Sequence, residues 1–282
     1  MQASDVNTGG GGEQKEQKPQ KSQKQILRHT QEAALTQLER TNAGLILSGL
    51  SAGLDVGFSV LLMATTLSLF KGVFPQPAVD FIVGNMYPVG FIFVILGRSE
   101  LFTEHTTLAI LPVLDGISGI KQLLRLWFYV YFSNIVGGAV FSFILSYFAD
   151  GSHIVKAWAL QEISAEMISG SWHESFVSAM LAGWLMGLLA WLVAAARDTI
   201  SQLFLIWVIT ASIGIAGLHH CIAGNVEVLA GLLTEGFSLQ SYLKFIIPAT
   251  LGNIVGGAVF VGVLKFSHTI FSEEEKELPD KE

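Results

Sequence analysis

Two stretches of this chain place chemically active side chains inside apolar sequence. Residues 217–233 read GLHHCIAGNVEVLAGLL, with His219, His220, Cys221, Asn225 and Glu227 in the run. Residues 98–105 read RSELFTEH, with Glu100, Thr103, Glu104 and His105. An imidazole titrates near neutral pH and can donate or accept a hydrogen bond. A hydroxyl does both without titrating. Ionisable groups at membrane depth are expensive, and their presence reads as function by default. Catalysis is not the reading they invite, because no nucleophile–base pair or cofactor loop accompanies them. Metal binding by His219, His220 and Cys221 is not expected either. Adjacent residues point in different directions, and no further ligand cluster appears. No cofactor is implied.

The elements around them define the setting. The chain has 282 residues, of which 51% are hydrophobic and only 14% charged. A globular protein carries about 25% charged residues, so the composition indicates a multispanning membrane protein embedded in a lipid bilayer. Nothing in it suggests nucleic-acid binding. One cysteine, Cys221, excludes an intramolecular disulfide. A crossing helix needs about 20 apolar residues. Residues 43–70, 126–149, 176–196 and 245–264 supply four plain spans. Two further regions, 81–114 and 203–233, are apolar at both ends and interrupted by the polar runs above.

The two halves repeat. SNIVGGAVF begins at Ser133, and GNIVGGAVF begins 119 residues later at Gly252. The same offset carries Glu100 onto His219. AGLDVG in the first span has a counterpart, AGWLMG, in the fourth. A repeat of three crossings must insert the second copy upside down. The chain therefore reads as an all-α protein of six transmembrane helices in two inverted three-helix repeats, with the second and fifth helices broken. Such broken helices mark transport paths. Freed backbone groups at each break need protein or water partners. The resuming half-helices offer the positive ends of their dipoles, a weakly anion-attracting centre. Thr103 can cap its half-helix or face the pore, and His220 stands at the matching break. Glu100 can pair with Arg98 or accept loop N–H groups. Glu104, Glu227 and Asp55 can line the pore or brace a neighbour.

Outside the membrane part, residues 1–25 read as a disordered polar tail and 26–41 as an amphipathic surface helix. Residues 42–271 form the channel domain, and 272–282 an acidic tail. If each broken segment crosses once, twelve Lys and Arg residues fall on the side of the termini and three on the other. That bias places both termini in the cytoplasm. The pairs Gly53/Gly57 and Gly183/Gly187 form GxxxG motifs, which let helix backbones approach closely.

ELFTEHT at 100–106, GLHHCIAGN at 217–225 and the two NIVGG runs resemble the formate/nitrite transporter family across residues 42–271. The resemblance implies an aquaporin-like protomer in an inner membrane, a homopentamer with one pore per protomer, and passage of small monovalent weak-acid anions. It implies His220 as the central histidine and Thr103 as its hydroxyl partner. It implies one constriction from Leu101, Phe102 and Phe91, and another from Tyr87 and Ile213. Possible polar pore residues are His219, Glu104, His105, Glu227, Asn225 and Glu100. The chain departs from the family at several places. Ser171 stands where formate channels carry a vestibule lysine, and Gly187 replaces an asparagine. His219 replaces a commonly acidic residue, and Gly224 an asparagine. Glu104 and His105 stand where small or neutral residues are common. These departures resemble the branch whose transported species is unassigned. They leave room for a neutral solute or a cation in the same pore, or for a closed scaffold or sensor.

Overall fold

The computed structural model describes residues 20–277, and every structural statement below concerns those residues; 1–19 and 278–282, parts of the two expected tails, lie outside them. Helix α1 (Gln23–Glu39) starts three residues before the expected surface helix. Ser22 caps it by accepting from the Gln25 N–H, while the Gln25 side chain accepts from the Ser22 N–H. This reciprocal cap satisfies two of the N–H groups a helix start leaves open. One apolar edge, including Ile26, Leu27, Ala34 and Leu38, is buried. Ile26 and Leu27 cluster with Leu111 and Trp191, so α1 is seated on the helical body.

The first crossing is α2 (Asn42–Phe70), capped by Thr41. The second runs through α3 (Gln76–Met86) and α4 (Pro88–Gly97), breaks, and continues as α5 (Phe102–Leu108) and the single turn α6 (Leu111–Leu114). The third is α7 (Ile120–Gly151). A distal surface helix, α8 (Ala157–Ser169), leads to the fourth crossing, α9 (Trp172–Ala195). The fifth is α10 (Thr199–Ile215), a break, and α11 (Cys221–Glu235). The sixth is α12 (Leu239–Gly257), a π-helical segment at Ala258–Val263, and α13 (Leu264–Glu277). Five helical stretches are long and apolar enough to span a membrane, and α10 is a shorter apolar helix. α13 carries helix into the expected acidic tail.

Each broken segment crosses once. The second starts beside Lys71, which pairs with Glu162 of α8, and ends at Asp115, which accepts from Gln31 of α1. The fifth starts at the α1 side, where Gln202 donates to the Val193 carbonyl, and ends against α8. Helices α1 and α13, the first and last described, therefore lie on one face, called here the terminal face; α8 covers the distal face.

The inverted repeat shows in the packing. α2 lies along α7 as α9 lies along α12. A Cβ on Gly53 would sit 2.2 Å from the Asn134 carbonyl oxygen, and one on Gly183 would sit 2.4 Å from that of Asn253. Glycine at these two positions lets each helix pair close until backbone touches backbone. The π segment begins where another element contacts the backbone: Thr107 of α5 donates to the Gly257 carbonyl at 2.9 Å.

Candidate functional site

The two breaks meet. Leu101 is the extended residue before α5, and its side chain makes no cap. The cap comes from α7 instead. Asn134 Oδ1 accepts from the Phe102 N–H at 2.8 Å, and its Nδ2 donates to the Gly49 and Glu100 carbonyls at 2.7 and 2.9 Å. The second break has the same device. Asn253 Oδ1 accepts from the Cys221 N–H at 2.8 Å, and its Nδ2 donates to the Ala179 and His219 carbonyls at 2.7 and 3.0 Å. Both amides are fully buried. Sequence reading passed over them, although both stand in the NIVGG repeat, 119 residues apart. An asparagine repeated at the same place in two apolar helices was the available signal, since a buried amide needs several partners.

Thr103 and His220 face each other at the centre, with Oγ1 and Nε2 2.7 Å apart. His220 Nδ1 accepts from the Ala223 N–H at 3.1 Å and so caps α11. A backbone N–H can only donate. Nδ1 is therefore the unprotonated nitrogen, and the ring proton sits on Nε2, donated to Thr103. Thr103 caps nothing; its hydroxyl accepts from the imidazole and keeps its own proton for another acceptor. The leading N–H groups of both half-helices, at Phe102, Cys221 and Ala223, are already used within the protein. That leaves less bare dipole for an anion than the breaks alone suggest.

Apolar walls surround the pair. The Phe91 ring meets the His220 ring edge-on at 5.1 Å, and Tyr87 stacks obliquely on Phe91 at 5.0 Å. Leu101, Phe102 and Ile213 are buried, and Phe102 packs on Tyr131 at 4.9 Å. On the terminal side lies a cavity of about 370 Å³, lined by α1 residues such as His29 and Gln37 and by Arg98, Glu100, Glu104 and His105. On the distal side lies a second cavity of about 300 Å³, lined by Tyr87, Ile213, Asp80, Glu162, Glu166 and Glu227.

The remaining polar residues sort by contact. Glu100 does not pair with Arg98. It accepts from Arg40 at 3.0 Å and bonds His105, tying the α1–α2 junction to the first break. Arg98 holds a left-handed conformation at φ 59°, ending α4. His219 braces the second break: its N–H donates to Ser178 Oγ, and its ring meets Phe245 edge-on. Asn225 spans helices, donating to the Ile135 carbonyl and accepting from the Tyr242 hydroxyl. Asp55 bonds Ser51 within α2 and lines neither cavity. Of the expected polar set, Glu100, Glu104 and His105 reach the terminal cavity and Glu227 the distal one. Neither His219 nor Asn225 lines either.

A six-crossing body with paired broken helices has counterparts among known proteins. The family model described as "Formate/nitrite transporter" matches residues 24–267. The chain belongs to that family. "Inner membrane protein YfdC" of Escherichia coli K12 is 29% identical over 85% of this chain and 76% of its own length. A "Probable formate transporter" of Methanothermobacter thermautotrophicus is 30% identical over 76% of this chain and 84% of its own. Two solved structures share the fold. An "FNT family ion channel" superposes with a TM-score of 0.73 at 21% identity, covering 87% of this chain and 96% of that one. A "Pentameric formate channel with formate bound" superposes at 0.69 and 23% identity, covering 85% and 99%. As a formate/nitrite transporter family member, this protein is a membrane transport protein. Its six crossings, inverted repeat and broken second and fifth helices form a fold shared with both solved structures.

Proposed function

We propose that this member conducts small monovalent weak-acid anions, formate or nitrite in kind, across an inner membrane with both termini cytoplasmic. The observation that carries the reading is the 2.7 Å Thr103–His220 contact standing between two cavities. Apolar rings on either side make a bare ion shed water that nothing there replaces. An uncharged acid avoids most of that penalty. Permeation is thereby coupled to protonation, and His220 serves it as a hydrogen-bond donor rather than a stored acid. Protonating Nδ1 would break the Ala223 cap, so the ring holds one proton and presents it through Nε2. Thr103 supplies the second donor. A permeating carboxylic acid or nitrous acid offers two oxygens to match.

The same reading extends to assembly. The solved relative titled a pentameric formate channel supports a homopentamer with one pore per protomer. α7 presents Leu124, Phe128, Phe132 and Phe143 outward, a strip suited to lipid or a neighbouring protomer.

The test is stopped-flow light scattering in proteoliposomes with formate, nitrite, acetate and a neutral solute. Anion flux should rise as pH falls, because acid raises the neutral share of the permeant, and His220→Ala should lower flux at every pH by removing the donor. Equal wild-type flux at about pH 5 and about pH 8, a span over which the neutral share of a carboxylic acid falls about a thousandfold, would overturn the reading.

A further inference from the structure

The distal cavity is built of acceptors. Four carboxyl residues line it, Asp80, Glu162, Glu166 and Glu227, and no Lys, Arg or His does so among the described residues. Lys71 pairs with Glu162 and lies within electrostatic reach of Glu166, while Asp80 and Glu227 have no described ion pair. An acidic lining alone has an ordinary explanation as a solvated mouth. Two further atoms exclude that explanation. Glu227 Oε1 and Tyr87 Oη are buried, each in a residue 3% exposed, and neither has a hydrogen-bond partner. Both residues line this cavity, from α11 and from the kink between α3 and α4. Buried polar atoms normally have partners, and two exceptions on residues that line one space call for an explanation, of which a bound ion is one.

The third feature is the backbone. Residues 213–218, at the C-terminal end of α10, form part of the same wall. That is the negative end of the helix dipole, where cations are favoured. Carboxylate, phenol oxygen and helix C-terminus all ask for positive charge. The carboxyls are too dispersed for a metal cage: among the described residues no group of three or more His, Cys, Asp or Glu is arranged to hold one. A monovalent cation suits one carboxylate assisted by neutral oxygens.

We propose that the distal vestibule binds a small monovalent cation, held by Glu227 and Tyr87, with Glu166 and Asp80 supplying longer-range attraction. Two kinds of ion share this chemistry: an ammonium ion, which would donate N–H groups to the Glu227 carboxylate and the Tyr87 phenol oxygen, and an alkali ion. The site is independent of the pore's cargo, because its occupancy is a matter of binding rather than flux. A cation there would also cancel the charge that a weak-acid anion meets on this face.

The experiment uses the full-length protein in detergent, followed by thermal unfolding and by titration calorimetry. Ammonium chloride and sodium chloride each replace choline chloride at constant ionic strength, so that choline, a quaternary ion with no N–H donors and a methyl-shielded charge, sets the baseline. A ligand that binds only the folded form raises its melting temperature with concentration. At least one of the two ions should do so saturably, and the more effective one identifies the kind of cation. Glu227→Gln should weaken that ion about tenfold or more, the consequence of losing one charged partner. Tyr87→Phe and Glu166→Gln should weaken it less. No saturable effect of either ion would overturn the proposal, as would an unchanged affinity in Glu227→Gln. If that variant does not fold, unchanged affinity in both Tyr87→Phe and Glu166→Gln overturns it equally. Failure of the anion-flux test would leave these outcomes standing.

Discussion

Asn253→Ala removes the amide that holds the second break. Three contacts vanish: the Cys221 N–H to Oδ1, and Nδ2 to the Ala179 and His219 carbonyls. They do not count equally. Ala179 lies inside α9, so its carbonyl already takes an i+4 hydrogen bond and loses only a second partner. The Cys221 N–H and the His219 carbonyl lie at the break itself. A buried polar group stripped of its partner costs about 1–3 kcal/mol. Two such groups, with a small extra loss at Ala179, give about 2–6 kcal/mol. The assay is denaturant or thermal unfolding of the detergent-solubilised protein, paired with anion flux in proteoliposomes. Flux should fall along with stability, because residues 219–220 set the position of the central imidazole. Asn134→Ala should match it within about 1 kcal/mol, since the first repeat uses the same three-contact device. Asn253→Asp is the informative control. It keeps an acceptor for the Cys221 N–H but turns an oxygen toward two carbonyls, so it should be no better than alanine. An alanine variant within about 0.5 kcal/mol of wild type, the ordinary range for an inert surface change, and with unaltered flux, would refute the reasoning.

Thr103→Val leaves the His220 Nε2–H without its acceptor and should cost about 1–3 kcal/mol in unfolding stability; Thr103→Ser, which keeps the hydroxyl, should retain flux that valine loses. Gly53→Ala places a methyl 2.2 Å from the Asn134 carbonyl oxygen. It should therefore destabilise by about 1–3 kcal/mol or more, whereas Gly97→Ala, which meets nothing within 4 Å, should be silent in the same melt. Glu166, on the distal surface helix, has its carboxyl pushed above the ordinary value of 4.5, first by burial and then by Glu162 and Asp80, with Lys71 opposing. A raised acid contributes its stability fully at low pH and loses it as pH rises through the raised value. Glu166→Gln should therefore melt higher than wild type at neutral pH, with the gap closing as pH falls below about 4.5, and a constant gap across pH would count against this origin.

The six crossings and their inverted order were legible in the sequence because both rest on local facts. Apolar runs of sufficient length must span, and NIVGGAVF recurring 119 residues on fixes a duplication of three-crossing units. The breaks were legible too, since RSELFTEH and HHCIAGN interrupt otherwise continuous apolar runs. What the breaks are tied to was not. Glu100 lies two residues from Arg98, and proximity in sequence suggested that pairing. The structure instead brings Arg40 and His105 to it, and turns Arg98 into a left-handed helix end. Asn225 stood in the polar run and read as a possible pore group, yet it bridges to Ile135 and Tyr242. Sequence names the side chains that must find partners, because burial of a polar group is costly wherever it occurs. Which partners they find depends on residues dozens to more than a hundred positions away. Only the packed helices bring Thr103 within 2.7 Å of His220, set Asn134 and Asn253 over the two breaks, and bring Glu227 and Tyr87, each with an unpartnered buried oxygen, to the lining of the same cavity.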